Sequence, residues 1–180
     1  MSDSIKQRAR RQLLLMFGIA ALSLGGASLL YYLSQSGVWG TTNNGTFVQP
    51  PVDATTLQVV DGNGRPAADA HVWWLWVVRE APCDAACDQA LHQLRQLHVL
   101  LNRDAERVVR ALVSPTGAPD AALEAKYPGL RFLAGNTSGL EPGIYIVDPI
   151  GNLVLRYPVE TPGKAVLQDL KRLLKVSQIG

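Results

Sequence analysis

The chain has 180 residues, of which 47% are apolar and 18% charged, with a formal net charge of +2. This length suits one domain with its own core plus an anchor, the apolar content excludes a disordered chain, and the near balance of charge excludes the strong field of a nucleic-acid binder. Two cysteines exclude a disulfide-dense secreted scaffold and, within one chain, a four-thiolate zinc site.

Positive charge collects at the start, in a basic segment over residues 1–12 that carries Lys6, Arg8, Arg10 and Arg11. No charged residue follows until Asp53. Residues 13–33 form an apolar run that, at about 1.5 Å per residue, covers roughly 30 Å, the thickness of a bilayer core. The run is long for a signal peptide, no A-x-A site ends it, and a buried helix with no polar face suits a small domain badly. We therefore expect a transmembrane helix over 13–33. The basic residues before it place the N-terminus in the cytoplasm, and Tyr31, Tyr32 and Trp39 fall at the far interface. The expected location is the inner (cytoplasmic) membrane, single pass, with the C-terminal domain in the periplasm. Residues 34–54, rich in Gly, Thr, Asn and Pro, read as a linker, and residues 55–180 as the folded domain.

Within that domain, 55–60 alternates weakly and ends in Asp61-Gly62-Asn63-Gly64, the pattern of a strand and a turn. Residues 71–78, nearly all apolar with three tryptophans, predict a central strand covered on both faces. Trp73, Trp74 and Trp76 then either pack the core or turn one ring toward a partner or the membrane surface. Pro82 ends this strand. Over 84–102, Cys87, Leu91, Leu94, Leu97 and Leu101 make one apolar helical stripe. Residues 107–113 predict a strand, 119–127 a short helix and 130–134 another strand. Two further strands, 143–148 and 152–157, meet at Asp148-Pro149-Ile150-Gly151, which suits a type I turn. Thr161 is positioned to cap a last helix through about Lys175, with Pro162 at its first position. The βαβ part implies parallel strands and the closing hairpin antiparallel ones, so the fold class is α/β, a mixed sheet with flanking helices.

The two cysteines, Cys83 and Cys87, stand where the central strand gives way to a helix. The partial positive charge and free N–H groups of a helix start stabilise a thiolate. Positions i and i+4 of a helix lie on one face, about 6 Å apart at Cα, within disulfide range. The pair can cycle as a dithiol, grip a soft ion such as Cu(I), or form a permanent disulfide that pins the turn. Asp84 and Asp88 flank it and oppose thiolate formation. Asn44-Gly-Thr46 and Asn136-Thr-Ser138 fit the glycosylation pattern, and Gly62-Asn-Gly64 is a turn rather than a phosphate loop.

Together these features resemble the thioredoxin superfamily and, within it, the Sco family of copper and redox factors for cytochrome c oxidase assembly. The likeness covers roughly residues 55–175. It rests on Cys83-Asp-Ala-Ala-Cys87, on the hairpin from Tyr145 to Gly151, and on the single N-terminal anchor. It implies a thioredoxin-like fold, with Cys83 and Cys87 as catalytic residues or Cu(I) ligands. Its implied partners are the membrane and respiratory oxidase subunits or assembly factors, with no nucleic acid.

The chain departs from that family at one place. Sco proteins carry a copper-binding histidine eight residues before the hairpin aspartate, and here that position is Leu140. Pro142 lies six residues before Asp148, where redox-active relatives often have a cis-proline beside the cysteines. His92 lies about 140° around the helix from Cys87, His98 about 16 Å further along it, and His71 at the far end of the preceding strand. Met1 and Met16 lie before or inside the expected span. The pair therefore needs a partner to complete a copper site. Three functions stay open: an oxidase assembly factor that reduces partner cysteines or passes Cu(I), a general thiol–disulfide oxidoreductase with Cys83 attacking and Cys87 resolving, and a non-catalytic docking module.

Overall fold

A computed structural model describes residues 2–35, 42–80 and 82–177. They fall into two compact units, Met1–Thr42 and Asn43–Gly180. The first unit contains one long helix, α1 (Ser2–Gln35). Within it, Arg10–Ser34 is long and apolar enough to cross a membrane, and none of its apolar window is buried against protein. The expected interfacial Trp39 lies outside the described residues.

The second unit is a seven-stranded mixed sheet. Its strands are β1 (Thr46–Phe47), β2 (Val60–Asp61), β3 (Trp73–Val78), β4 (Val108–Ser114), β5 (Leu130–Ala134), β6 (Gly143–Val147) and β7 (Leu153–Tyr157), in the order β1-β7-β6-β3-β4-β5-β2. Strands β3, β4 and β5 run parallel, and the other pairings are antiparallel. Three helices accompany the sheet: α2 (Ala85–Leu100), α3 (Ala121–Lys126) and α4 (Gly163–Val176).

All six residues of β3 are buried. Because side chains alternate across a strand, Trp73, Leu75 and Val77 join a core with α2 and α4, supplied by Leu91, Leu94, Leu97, Val166, Leu170 and Leu174. Trp74, Trp76 and Val78 enter a second core on the opposite face. A segment without α-helix, carrying one short 3-10 turn at Ala67–Ala70, covers that face through Ala54, Leu57, Val59 and Ala67. All three tryptophans are therefore core residues, and the alternative of an outward-facing ring does not hold.

Three expectations are corrected. The strand expected over 55–60 shrinks to the two residues of β2. Asp53 Oδ1 accepts from the Thr55 N–H at 2.6 Å and its hydroxyl at 2.8 Å, and Val59 N–H donates to the Ala54 carbonyl. These local bonds satisfy the backbone in a turn and outcompete strand pairing. The last helix begins at Gly163, because Pro162 keeps an extended ψ of 133° at the N-cap and Thr161 makes no side-chain cap. The linker expected over 34–54 ends before Asn43, since β1 pairs with β7 and Leu153 N–H donates to the Val52 carbonyl.

The start of this unit is held by one buried carboxylate. Asp169 on α4 is 2% exposed. Its Oδ2 accepts the N–H of Asn44 at 2.6 Å, the N–H of Gly45 at 3.0 Å and the hydroxyl of Tyr157 at 2.9 Å. Burial, with the nearby carboxylate adding to it, pushes the Tyr157 phenol well above its ordinary range, so it stays a donor. Residue 45 must be glycine for this contact, because a Cβ there would stand 2.5 Å from the Tyr157 ring. Asp169→Ala should cost about 3 kcal/mol, since it leaves two buried donors, the Gly45 N–H and the Tyr157 hydroxyl, and the part-buried Asn44 N–H without an acceptor. Asp169→Asn, which keeps one acceptor oxygen, should cost less. Urea denaturation checks this, and an Asp169→Ala variant as stable as the parent would remove the carboxylate from this role.

Candidate functional site

Strand β3 delivers the site. Its last residue, Val78, lies between Val113 of β4 and Gly143 of β6. The chain leaves the sheet with the Arg79 N–H donating to the Val113 carbonyl at 3.0 Å and then enters α2. The site thus lies at the carboxyl ends of parallel strands, where open α/β sheets place their ligand sites.

Cys83 and Cys87 are joined by a disulfide, with Cα atoms 5.3 Å apart. The expected proximity holds, but not through helical spacing alone. Asp84 is the N-cap of α2, so Cys83 stands just outside the helix and Cys87 in its first turn. Cys87 is 0% exposed and sits within the α2-side core. Cys83 is only partly buried, against the edge of that core. Cys83 is thus the partly exposed cysteine and Cys87 the sealed one.

The two flanking carboxylates are each engaged. Asp84 Oδ1 accepts the Cys87 N–H at 2.9 Å, and Oδ2 pairs with the Arg79 guanidinium. The Cys87 N–H and, secondarily, Arg79 hold the Asp84 carboxyl below its ordinary value. Asp88 accepts from Lys126 Nζ at 2.7 and 2.8 Å and from the Tyr127 hydroxyl at 2.8 Å. The Lys126 and then the Tyr127 hydrogen bonds lower its pKa likewise. The repulsion these aspartates were expected to exert on a thiolate is therefore offset by Arg79 and Lys126. The Lys126 partner is not legible in the sequence, for it lies 38 residues from Asp88.

Pro142 precedes β6, whose Gly143 pairs with Val78, so it sits at the same end of the sheet as the cysteines. It is exposed, and its peptide bond is trans; among the described residues the cis bond is Gln49–Pro50. Leu140 is partly buried against the second core. His98 Nε2 contacts the Val108 carbonyl at 2.9 Å, and His92 contacts Gln96 at 3.1 Å. Among the described residues, no three His, Cys, Asp or Glu side chains converge to hold a metal. Cys83 and Cys87, once reduced, offer two sulfur ligands, with no third converging on them among the described residues.

Residues 73–177 match the family model described as the transmembrane-like, thioredoxin-like C-terminal domain. Among solved structures, the chain is similar to apo Sco1 from Thermus thermophilus, at 18% identity and TM-score 0.56, covering 75% of this chain and 99% of that one. It is similar to copper-bound yeast Sco1, at 15% identity and TM-score 0.52, covering 77% and 96%. It also resembles a SCO1/SenC family lipoprotein from Bacillus anthracis, at 16% identity and TM-score 0.50, covering 71% and 98%. At these identities the likeness establishes the fold, which is the thioredoxin-like one expected from the sequence. No curated protein matches the chain.

The Asp88 pair has a pH signature. A carboxyl whose folded pKa is depressed adds stability above its ordinary value of 3.8 and loses it as pH falls through the lower folded value. Asp88→Asn should therefore be less stable than the parent at pH 5, with the gap closing by about pH 2. Urea midpoints across this range test it, and a gap independent of pH would dismiss the charge–charge origin.

Proposed function

The chain belongs to the transmembrane-like, thioredoxin-like family, and from that premise we propose that it is a membrane-anchored dithiol factor serving the assembly of a respiratory oxidase. Its domain faces the periplasm and its basic N-terminus the cytoplasm. The observation that carries this reading is the Cys83–Cys87 pair at the strand-to-helix junction, Cys83 partly exposed and Cys87 sealed in the core. Such a pair divides the work of thiol–disulfide exchange. The Cys83 thiolate attacks one sulfur of a partner disulfide, whose other sulfur leaves as a thiolate. Cys87 then attacks Cys83 Sγ, and the second partner sulfur leaves. Two electrons pass to the partner, and the Cys83–Cys87 bond is formed.

The helix cap favours this reducing direction. Asp84 already takes the Cys87 N–H at the helix start, a group that would otherwise favour a thiolate. A dithiol without strong thiolate stabilisation makes a stable disulfide and a good reductant. Copper enters as cargo in a second reading, which the Sco-like motifs and the fold shared with copper-bound yeast Sco1 support. The two sulfurs would then hold Cu(I) with a third ligand from the partner.

A Cys87→Ser strain should accumulate mixed disulfides with an oxidase subunit or assembly factor. The Cys83→Ser, Cys87→Ser double variant should reduce haem-copper oxidase activity to the level of a deletion. Full complementation by that double variant would leave the docking-module reading instead. Titration of the reduced full chain with Cu(I) separates the two cysteine chemistries, because only the copper reading expects stoichiometric binding that vanishes in the double variant.

A further inference from the structure

A groove of about 420 Å³ opens directly at Cys83. It lies on the β4 side of β3, between the cysteine turn and the segment leading into α3. Pro142 sits on the other flank of β3, at the start of β6, and takes no part in it. Cys87 does not reach it either, so the groove addresses the accessible sulfur alone. Its floor is apolar, built by Pro82, Leu112, Pro119 and Leu123.

The far wall is fixed in place. Ser114 Oγ accepts the Gly117 N–H at 3.1 Å, and Gly117 turns with a φ of +59°. A Cβ there would stand 2.4 Å from the Ala134 backbone nitrogen, so this loop is pressed against the end of β5. A preformed wall lowers the ordering cost of binding.

The rim is acidic. Arg79 lines it but is committed to Asp84. Glu80 makes no ion pair among the described residues, and Asp120 spends its carboxylate on the N–H groups of Ala122 and Leu123 at the start of α3. Neither negative charge is met by a cation.

We propose that this groove is a substrate subsite for an extended polypeptide whose cysteine is flanked by an apolar residue on one side and by lysine or arginine on the other. The apolar side chain fills the floor beside Leu112 and Leu123, and the basic one answers Glu80 and Asp120. Small acidic thiols are disfavoured by the same rim. This assignment rests on the dithiol reading of Cys83.

The test uses the full chain in detergent as the reduced Cys87→Ser variant. The probes are short peptides carrying one cysteine as its thionitrobenzoate mixed disulfide. The Cys83 thiolate attacks the peptide sulfur, the probe's S–S bond breaks, and coloured thionitrobenzoate leaves with the electron pair. With lysine flanks the rate should exceed that with glutamate flanks by about five- to tenfold at low salt, and the difference should collapse near 1 M salt, where screening acts within about 3 Å. Glu80→Lys, an exposed change, should level or invert the ranking. Equal rates for all peptides, with Cys83 still reactive toward uncharged dithiodipyridine, would overturn the groove assignment and leave the dithiol reading intact. A Cys83 inert to both reagents would overturn both.

Discussion

Everything in the second unit depends on β3 being buried on both faces. Each of its apolar side chains removed from water is worth about 1.5–3 kcal/mol, and the pleat divides them between two cores. Trp73, Leu75 and Val77 require the helices α2 and α4 above them, while Trp74, Trp76 and Val78 require the 52–72 segment below. Its hydrogen-bonding edges are filled by β4 and β6. A strand so enclosed has one free direction, its carboxyl end, and the cysteine turn is there.

That placement explains the asymmetry of the two sulfurs. Cys87, in the first turn of α2, shares the helix face that packs Leu91 and Leu94 onto the sheet, and it is sealed with them. Cys83 lies one residue before the cap, where the chain is still crossing the surface. The capping residue between them performs two tasks at once. Asp84 starts the helix through the Cys87 N–H and carries a charge that Arg79 balances. The local electrostatics of the pair are thus set by ion pairs that bracket the turn, Arg79–Asp84 on one side and Lys126–Asp88 on the other.

The same logic governs the edge of the sheet. Strand β7 is covered along its outer side by the residues from Val48 to Asp53 and by the two residues of β1. This short covering is held through Asp169, which gathers the N–H groups of Asn44 and Gly45 with the Tyr157 hydroxyl. A buried carboxylate is tolerated there because both oxygens are engaged, Oδ1 accepting from Asn44 Nδ2 at 3.1 Å and pairing with Arg172 at 3.4 Å.

The sequence by itself determined the long apolar N-terminal helix, the order of the longer strands and helices, the Asp148–Gly151 turn and the strand-to-helix position of the cysteines. Each of these is written in periodicity or turn chemistry within a few neighbouring residues, so no distant contact is needed to read it. The 55–60 segment departs from its strand pattern because the Asp53 side chain, just outside that pattern, competes for its backbone. Only the tertiary structure decided which sulfur is accessible, that all three tryptophans face inward, and that Arg79 and Lys126 offset the aspartates. It alone assembled the acidic groove beside Cys83. Most of these features join residues tens of positions apart, and all of them exist only once β3, β4 and β6 have paired and α2 has packed onto them.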